Sequence, residues 1–152
     1  MRLRDMLDES TIKVGLESLD KEECIEEMTD VLVRAGRVAN RDHAQVLASV
    51  RTREAEGSTG IGKGVAVPHG KCAGLAGTVL AVGISKTGIE FDSADGKPVK
   101  IVFLIAASAS EPGKHLQMLA EVVRLIRVPG LCDKLAAATT PKMVLDLLDA
   151  EE

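Results

Sequence analysis

The run Lys100-Ile101-Val102-Phe103-Leu104-Ile105-Ala106-Ala107 constrains the fold of this chain more than any other stretch. After Lys100 no polar residue interrupts it, so a strand here must be covered on both faces. A strand with one wet face would alternate apolar and polar side chains instead. Helices must therefore lie on both sides of the sheet, and the flanking sequence supplies them.

On the N-terminal side, Thr11-Ile12-Lys13-Val14 alternates and predicts a short first strand. Asp20-Lys21-Glu22-Glu23 has capping-box character, and Cys24, Ile25, Met28, Val31, Leu32 and Ala35 then recur at helical spacing. The first helix is expected over 21–35, stopped by Gly36, with Cys24 as a small buried hydrophobe. A second helix starts at Asn40 or Asp42 and runs to about Glu54. Val65-Ala66-Val67 and Thr78–Ser85 read as further strands, and Phe91 as a packing anchor in the turn-rich connection to the central strand. Pro112 opens a third helix with an apolar face of Leu116, Leu119, Ala120, Val123 and Ile126, ended by Pro129-Gly130. Shorter helices follow over 131–138 and 142–149, the latter opened by Thr140-Pro141. The expected order is β-α-α-β-β-β-α-α-α: an α/β chain folded as a three-layer α/β/α sandwich around a small mixed β-sheet, one domain over 1–152.

Composition narrows the function classes. With two Phe and no Trp or Tyr, the chain has no aromatic platforms for stacking single-stranded nucleic acid. A formal charge of −4 gives no overall basic field for duplex DNA or anionic lipid, so neither nucleic acid nor membrane insertion is expected. No apolar run is long enough to span a bilayer and no signal peptide is visible, which predicts a cytoplasmic protein. Three widely spaced cysteines form neither a disulfide framework nor a Cys-x-x-Cys pair. Cys72 with His43 or His115 lacks the short paired spacing of a structural zinc site. His43 reads as a solvated histidine at a helix start.

The chemistry gathers in Gly57-Ser58-Thr59-Gly60-Ile61-Gly62-Lys63-Gly64-Val65-Ala66-Val67-Pro68-His69-Gly70-Lys71. Its first part is a near match to the nucleotide-binding P-loop but departs from it in three ways. Gly64 replaces the magnesium-binding hydroxyl, a helix precedes the loop, and a strand follows it. Proline fixes its own φ and Gly70 is free to take a positive φ, so His69 is expected on a corner at the end of a strand. A lone histidine is more often structural than chemical. Arg53 reads equally as a helix-end cation and as a guanidinium for an oxyanion. His115 falls in the first turn after the central strand, where α/β sheets gather their sites.

Arg53-Glu54, Gly57 to Gly62 and Val65-Ala66-Val67-Pro68-His69-Gly70-Lys71 together resemble the active-site signature of fructose/mannitol-type IIA domains of the bacterial phosphotransferase system. Ile89-x-Phe91-Asp92, Gly96-x-Pro98-Val99 and Lys114-His115-Leu116 also fit, so the resemblance runs from about Leu3 to Asp149. Within the family, a free-standing chain of this length most resembles the nitrogen-regulatory branch. The resemblance implies a phosphotransferase whose His69 is the phosphorylated nucleophile, with Arg53 and His115 as partners. The donor it implies is a small histidine phosphocarrier protein. The next step is either regulation of target proteins or transfer to the cysteine of a separate IIB protein. A binding module that has lost phosphotransfer is the remaining alternative. Loop N–H groups from Gly60 to Gly64, including Ile61 and Gly62, are expected to form an anion nest, with Ser58 and Thr59 adding hydroxyl donors. No cofactor or metal is called for when donor and acceptor are both side chains.

Overall fold

The computed structural model describes all 152 residues, Met1–Glu152. Six strands form one mixed sheet: β1 (Ile12–Val14), β2 (Gly60–Gly62), β3 (Val65–Ala66), β4 (His69–Cys72), β5 (Val79–Ile89) and β6 (Val99–Ser108). The helices are α1 (Lys21–Arg34), α2 (His43–Glu56), α3 (Lys114–Ile126), α4 (Leu131–Ala137) and α5 (Pro141–Glu151). Short 3₁₀ turns precede β1 and α2.

The apolar run is the central strand, as its pattern requires. β6 pairs antiparallel with β5 and, on its other side, parallel with β3 and β4. β1 extends the sheet parallel to β5, and β2 closes the opposite edge antiparallel to β3. Alternate residues of β6 enter two separate cores. Ile101, Phe103 and Ile105 belong to a cluster of 20 buried residues that also holds Met118 and Val122 of α3, Leu135 of α4 and Val144 of α5. Val102, Leu104 and Ala106 belong to a cluster of 19 with Ile25 and Met28 of α1 and Val46 and Val50 of α2. The near-equal sizes make this a three-layer sandwich with both faces of the sheet closed.

Caps form where the sequence predicts them. The Asp20 carboxylate accepts the Glu23 N–H at 2.9 Å, and the Thr140 hydroxyl accepts the Met143 N–H at 3.2 Å. Phe91 is fully buried, the packing anchor expected of it.

Three local expectations are corrected. The sheet has six strands where the pattern suggests four, because the extra ones are too short to show a period. The strand expected to stop at Pro68 does not stop. β3 lies against Ile101 and Val102 of β6, and β4 against Ile105 to Ser108, so the two are halves of one parallel strand. Proline has no N–H for the ladder, but its carbonyl still accepts the Ile105 N–H at 3.0 Å and bridges the halves. Finally, α3 buries Met118, Val122 and Leu125, while Leu116 is 61% exposed and Val123 37%. His115 shares the inward face at i, i+3, i+7 and i+10 with those three residues, and that rotation turns Leu116 outward.

Candidate active site

His69 opens β4, beside Ile105 of the central strand. Its ring bends back so that Nδ1 lies 2.9 Å from the carbonyl oxygen of Val67. A carbonyl only accepts, so Nδ1 carries the proton and donates it. Nε2 is left with the lone pair. The Val67 N–H bonds to the Thr59 carbonyl at 3.0 Å, on the side away from β6, so the Val67 carbonyl also points away from the β6 ladder and is open to the ring.

Gly70 is required here for space and not for a positive φ. A Cβ on it would sit 2.5 Å from Ser49 Oγ and 2.7 and 2.8 Å from the backbone of Ser49 and Val50. α2 therefore packs directly on β4, and the Ser49 hydroxyl donates to the Lys71 carbonyl at 2.7 Å. This close approach aims the face Ser49, Thr52, Arg53 and Glu56 at His69, at helical spacing i, i+3, i+4 and i+7.

From the other layer, α3 brings His115 over the same point. The two imidazole rings are roughly parallel at 26°, with centroids 6.3 Å apart. Together with Lys71 and Ala107 these residues line an open cavity of about 440 Å³. Burial holds the His115 pKa below its ordinary value, with smaller contributions from the Lys71 cation and from His69. At neutral pH His115 is an uncharged imidazole. Arg53 and Lys71 against Glu56 leave the lining with an excess positive charge, suited to an oxyanion.

Arg53 combines a contact at the helix end with a place in the cavity lining. Its Nη1 donates to the Gly57 carbonyl at 2.8 Å, closing the end of α2, and its side chain faces the cavity.

The structure brings together His69, His115 and Arg53 but not the glycine loop. Ser58, Thr59, Gly60, Ile61 and Gly62 do not line the cavity. Their polar groups are engaged elsewhere: the Ser58 hydroxyl donates to the Phe91 carbonyl at 2.6 Å, and Gly60 N–H donates to Ser58 Oγ at 3.1 Å. Thr59 gives its N–H and its hydroxyl to the buried Glu54 carboxylate, at 2.8 and 2.6 Å. Lys63-Gly64, both at positive φ (58° and 75°), turn β2 into β3 as a two-residue hairpin. The glycines thus make a hairpin and not an anion nest.

Ser49, Thr52, Glu56 and Lys71 are the site residues that sequence reasoning missed. The signal was present in α2, as a polar stripe in register with Arg53.

Residues 5–151 match the model of the family described as "Phosphoenolpyruvate-dependent sugar phosphotransferase system, EIIA 2". The fructose-specific EIIA component of Haloferax volcanii is 37% identical over 150 residues, covering 95% of this chain and 96% of that protein. The fructose-specific EIIABC component of Bacillus subtilis is 34% identical over the whole chain, which spans only 24% of that longer protein. Among solved structures, the nitrogen regulatory protein IIA-Ntr of Neisseria meningitidis superposes with a TM-score of 0.86 at 29% identity, over 96% of this chain and 98% of that one. A family match over nearly the full length, with His69, His115 and Arg53 meeting in one cavity, establishes that this chain belongs to the EIIA type 2 family of the phosphotransferase system.

Proposed function

We propose that this protein is a phosphohistidine relay in which Nε2 of His69 accepts a phosphoryl group from a histidine phosphocarrier protein. The observation that carries this reading is the Nδ1 contact to the Val67 carbonyl. It holds the tautomer whose Nε2 lone pair faces outward, as in-line attack on phosphorus requires. As the Nε2–P bond forms, the P–N bond of the donor's phosphohistidine breaks and its imidazole leaves with the electron pair. The His69 proton stays on Nδ1, where Val67 stabilises the charge that develops on the ring. Arg53 and Lys71 are placed to attract the equatorial oxygens, and neutral His115 to donate one N–H to them. The exposed Leu116 beside His115 offers an apolar contact for a protein donor.

The test is transfer from a phosphorylated histidine carrier, followed by gel and by nitrogen-15 NMR. The wild type is expected to label on Nε2 of His69, with label absent in His69→Ala and transfer slowed about tenfold or more in Arg53→Ala and His115→Ala. An unlabelled wild type, or label persisting in His69→Ala, overturns the proposal.

Two outputs share this chemistry. Regulation of target proteins follows from the likeness to nitrogen-regulatory proteins. Transfer to a IIB cysteine is favoured by the higher identity to the fructose-specific protein of Haloferax volcanii. Loss of label to an added IIB protein assigns the second; retention of label with phosphorylation-dependent capture of a target assigns the first.

A further inference from the structure

A cavity of about 820 Å³ lies apart from the His69 site and shares no lining residue with it. It opens where the β2–β3 hairpin, the start of β6 and the turn after α3 meet. Lys100 lies five residues along β6 from Ile105, the partner of His69, so roughly 17 Å separates the two positions along the strand. Four cations line the cavity: Lys63, Lys97, Lys100 and Arg127. None of the four forms an ion pair with a carboxylate. Two acids also line it, Asp95 and Asp133, which leaves a balance of +2 in a chain whose formal charge is −4. The Asp95 carboxylate is already committed to the backbone, accepting the Lys63 N–H at 3.2 Å and the Lys97 N–H at 3.0 Å.

The Lys63 bond ties the hairpin to the β5–β6 connection and the Lys97 bond folds that connection locally, so Lys63 and Lys97 are presented from a tied framework. Lys63 occupies a left-handed conformation (φ 58°) that an L-residue takes at a cost. Glycine or asparagine is the ordinary residue at such a hairpin position. A cation held there, facing three others across a concave space, is an arrangement for a multiply charged anion. The cavity has the size of small-molecule sites, and 6 of its 14 lining residues are charged, so a ligand there meets charged groups beside the apolar wall of Ile126 and Val128.

We infer that this cavity binds a small phosphorylated molecule, whose phosphate dianion sits among Lys63, Lys97, Lys100 and Arg127 at the end of the sheet remote from His69. Lysine and arginine together suit a phosphate: Arg127 offers a planar fork and the lysines compact point charges.

Glycerol 3-phosphate is the probe, with inorganic phosphate as the shared oxyanion and glycerol as the neutral control, followed by amide NMR on the full chain. Saturable shifts are expected at Lys63, Gly64, Gly130 and Cys132 with either phosphate and none with glycerol. The shifts should weaken as salt is raised from about 50 to 300 mM. The Lys100→Gln/Arg127→Gln double variant should bind about tenfold more weakly while amides outside the cavity keep their positions. If that variant loses its fold, each single variant is to be read alone. Shifts that fail to saturate, that centre on Gly70 and Lys71, or that are equal in the variants overturn the assignment. The readout does not depend on phosphotransfer, so it stands or falls separately from the proposed relay.

Discussion

His69 and His115 are chemically identical side chains, and their surroundings divide their roles. His69 has its Nδ1 engaged by a backbone carbonyl, so its tautomer is set by geometry. His115 is governed by desolvation, which disfavours its charged form. A folded-state pKa below the ordinary value of 6.5 means that the unfolded chain binds its proton first as pH falls. The stability associated with neutral His115 is therefore complete above pH 6.5 and lost as pH drops through the folded pKa. Urea unfolding of wild type and His115→Gln between pH 7.5 and 5 should show the variant with a shallower acid loss. Equal slopes would place His115 in ordinary solvent. At Glu54 the burden is structural: its buried carboxylate takes both polar groups of Thr59 and a 3.4 Å contact from Lys21 Nζ. Glu54→Ala orphans the Thr59 donors and is expected to destabilise by about 2 kcal/mol, measured by denaturant unfolding. Its effect on phosphotransfer should be small if only the loop depends on it.

Between elements, the decisive contact is α2 on β4. Gly70→Ala places a methyl group against the backbone of Ser49 and Val50, which cannot rotate away as a side chain would. The helix must shift, and α2 carries Arg53, Thr52 and Glu56 into the site. We expect a loss of about 1–3 kcal/mol of stability together with slower transfer to a chemically intact His69. Normal transfer in a destabilised Gly70→Ala would show that Arg53 reaches the phosphoryl group without this packing. The starts of α1 and α5 were legible in the sequence because Asp20 and Thr140 cap locally, whereas α5 runs on to Glu151, past the expected end at 149. The buried face of α3 was not. Leu116 and Val123 are as apolar as the residues beneath the helix, and only the sheet below decides which stripe is covered. The short strands escaped for a related reason: β2, β3 and β4 have too few residues for a period of two to appear.

For the whole molecule, the two cores should carry comparable weight. Phe103 faces the α3–α5 side and Leu104 the α1–α2 side, both at 1% exposure or less. Phe103→Ala is expected to cost about 3–5 kcal/mol and Leu104→Ala about 2–5, read from equilibrium unfolding. A near-neutral result at either position would mean that one face of the sheet is not a packed layer. That both faces would be covered was determined by the sequence itself, since an uninterrupted apolar strand has no other stable placement. The sequence likewise singled out His69, Arg53 and His115, through the resemblance of its ordered motifs to the IIA signature; local pattern alone left Arg53 equally a helix-end cation. Which groups share a cavity was decided only by tertiary structure. The glycine loop lies next to His69 in sequence yet pairs into a hairpin tied to Glu54, while Ser49, Thr52 and Glu56 reach the site from a different element. Hairpin register, the glycine-permitted approach of α2 and the rotation of α3 all depend on contacts between residues far apart in the chain. No local pattern encodes such contacts, and they alone convert a histidine at a strand break into a paired, oriented and positively lined site.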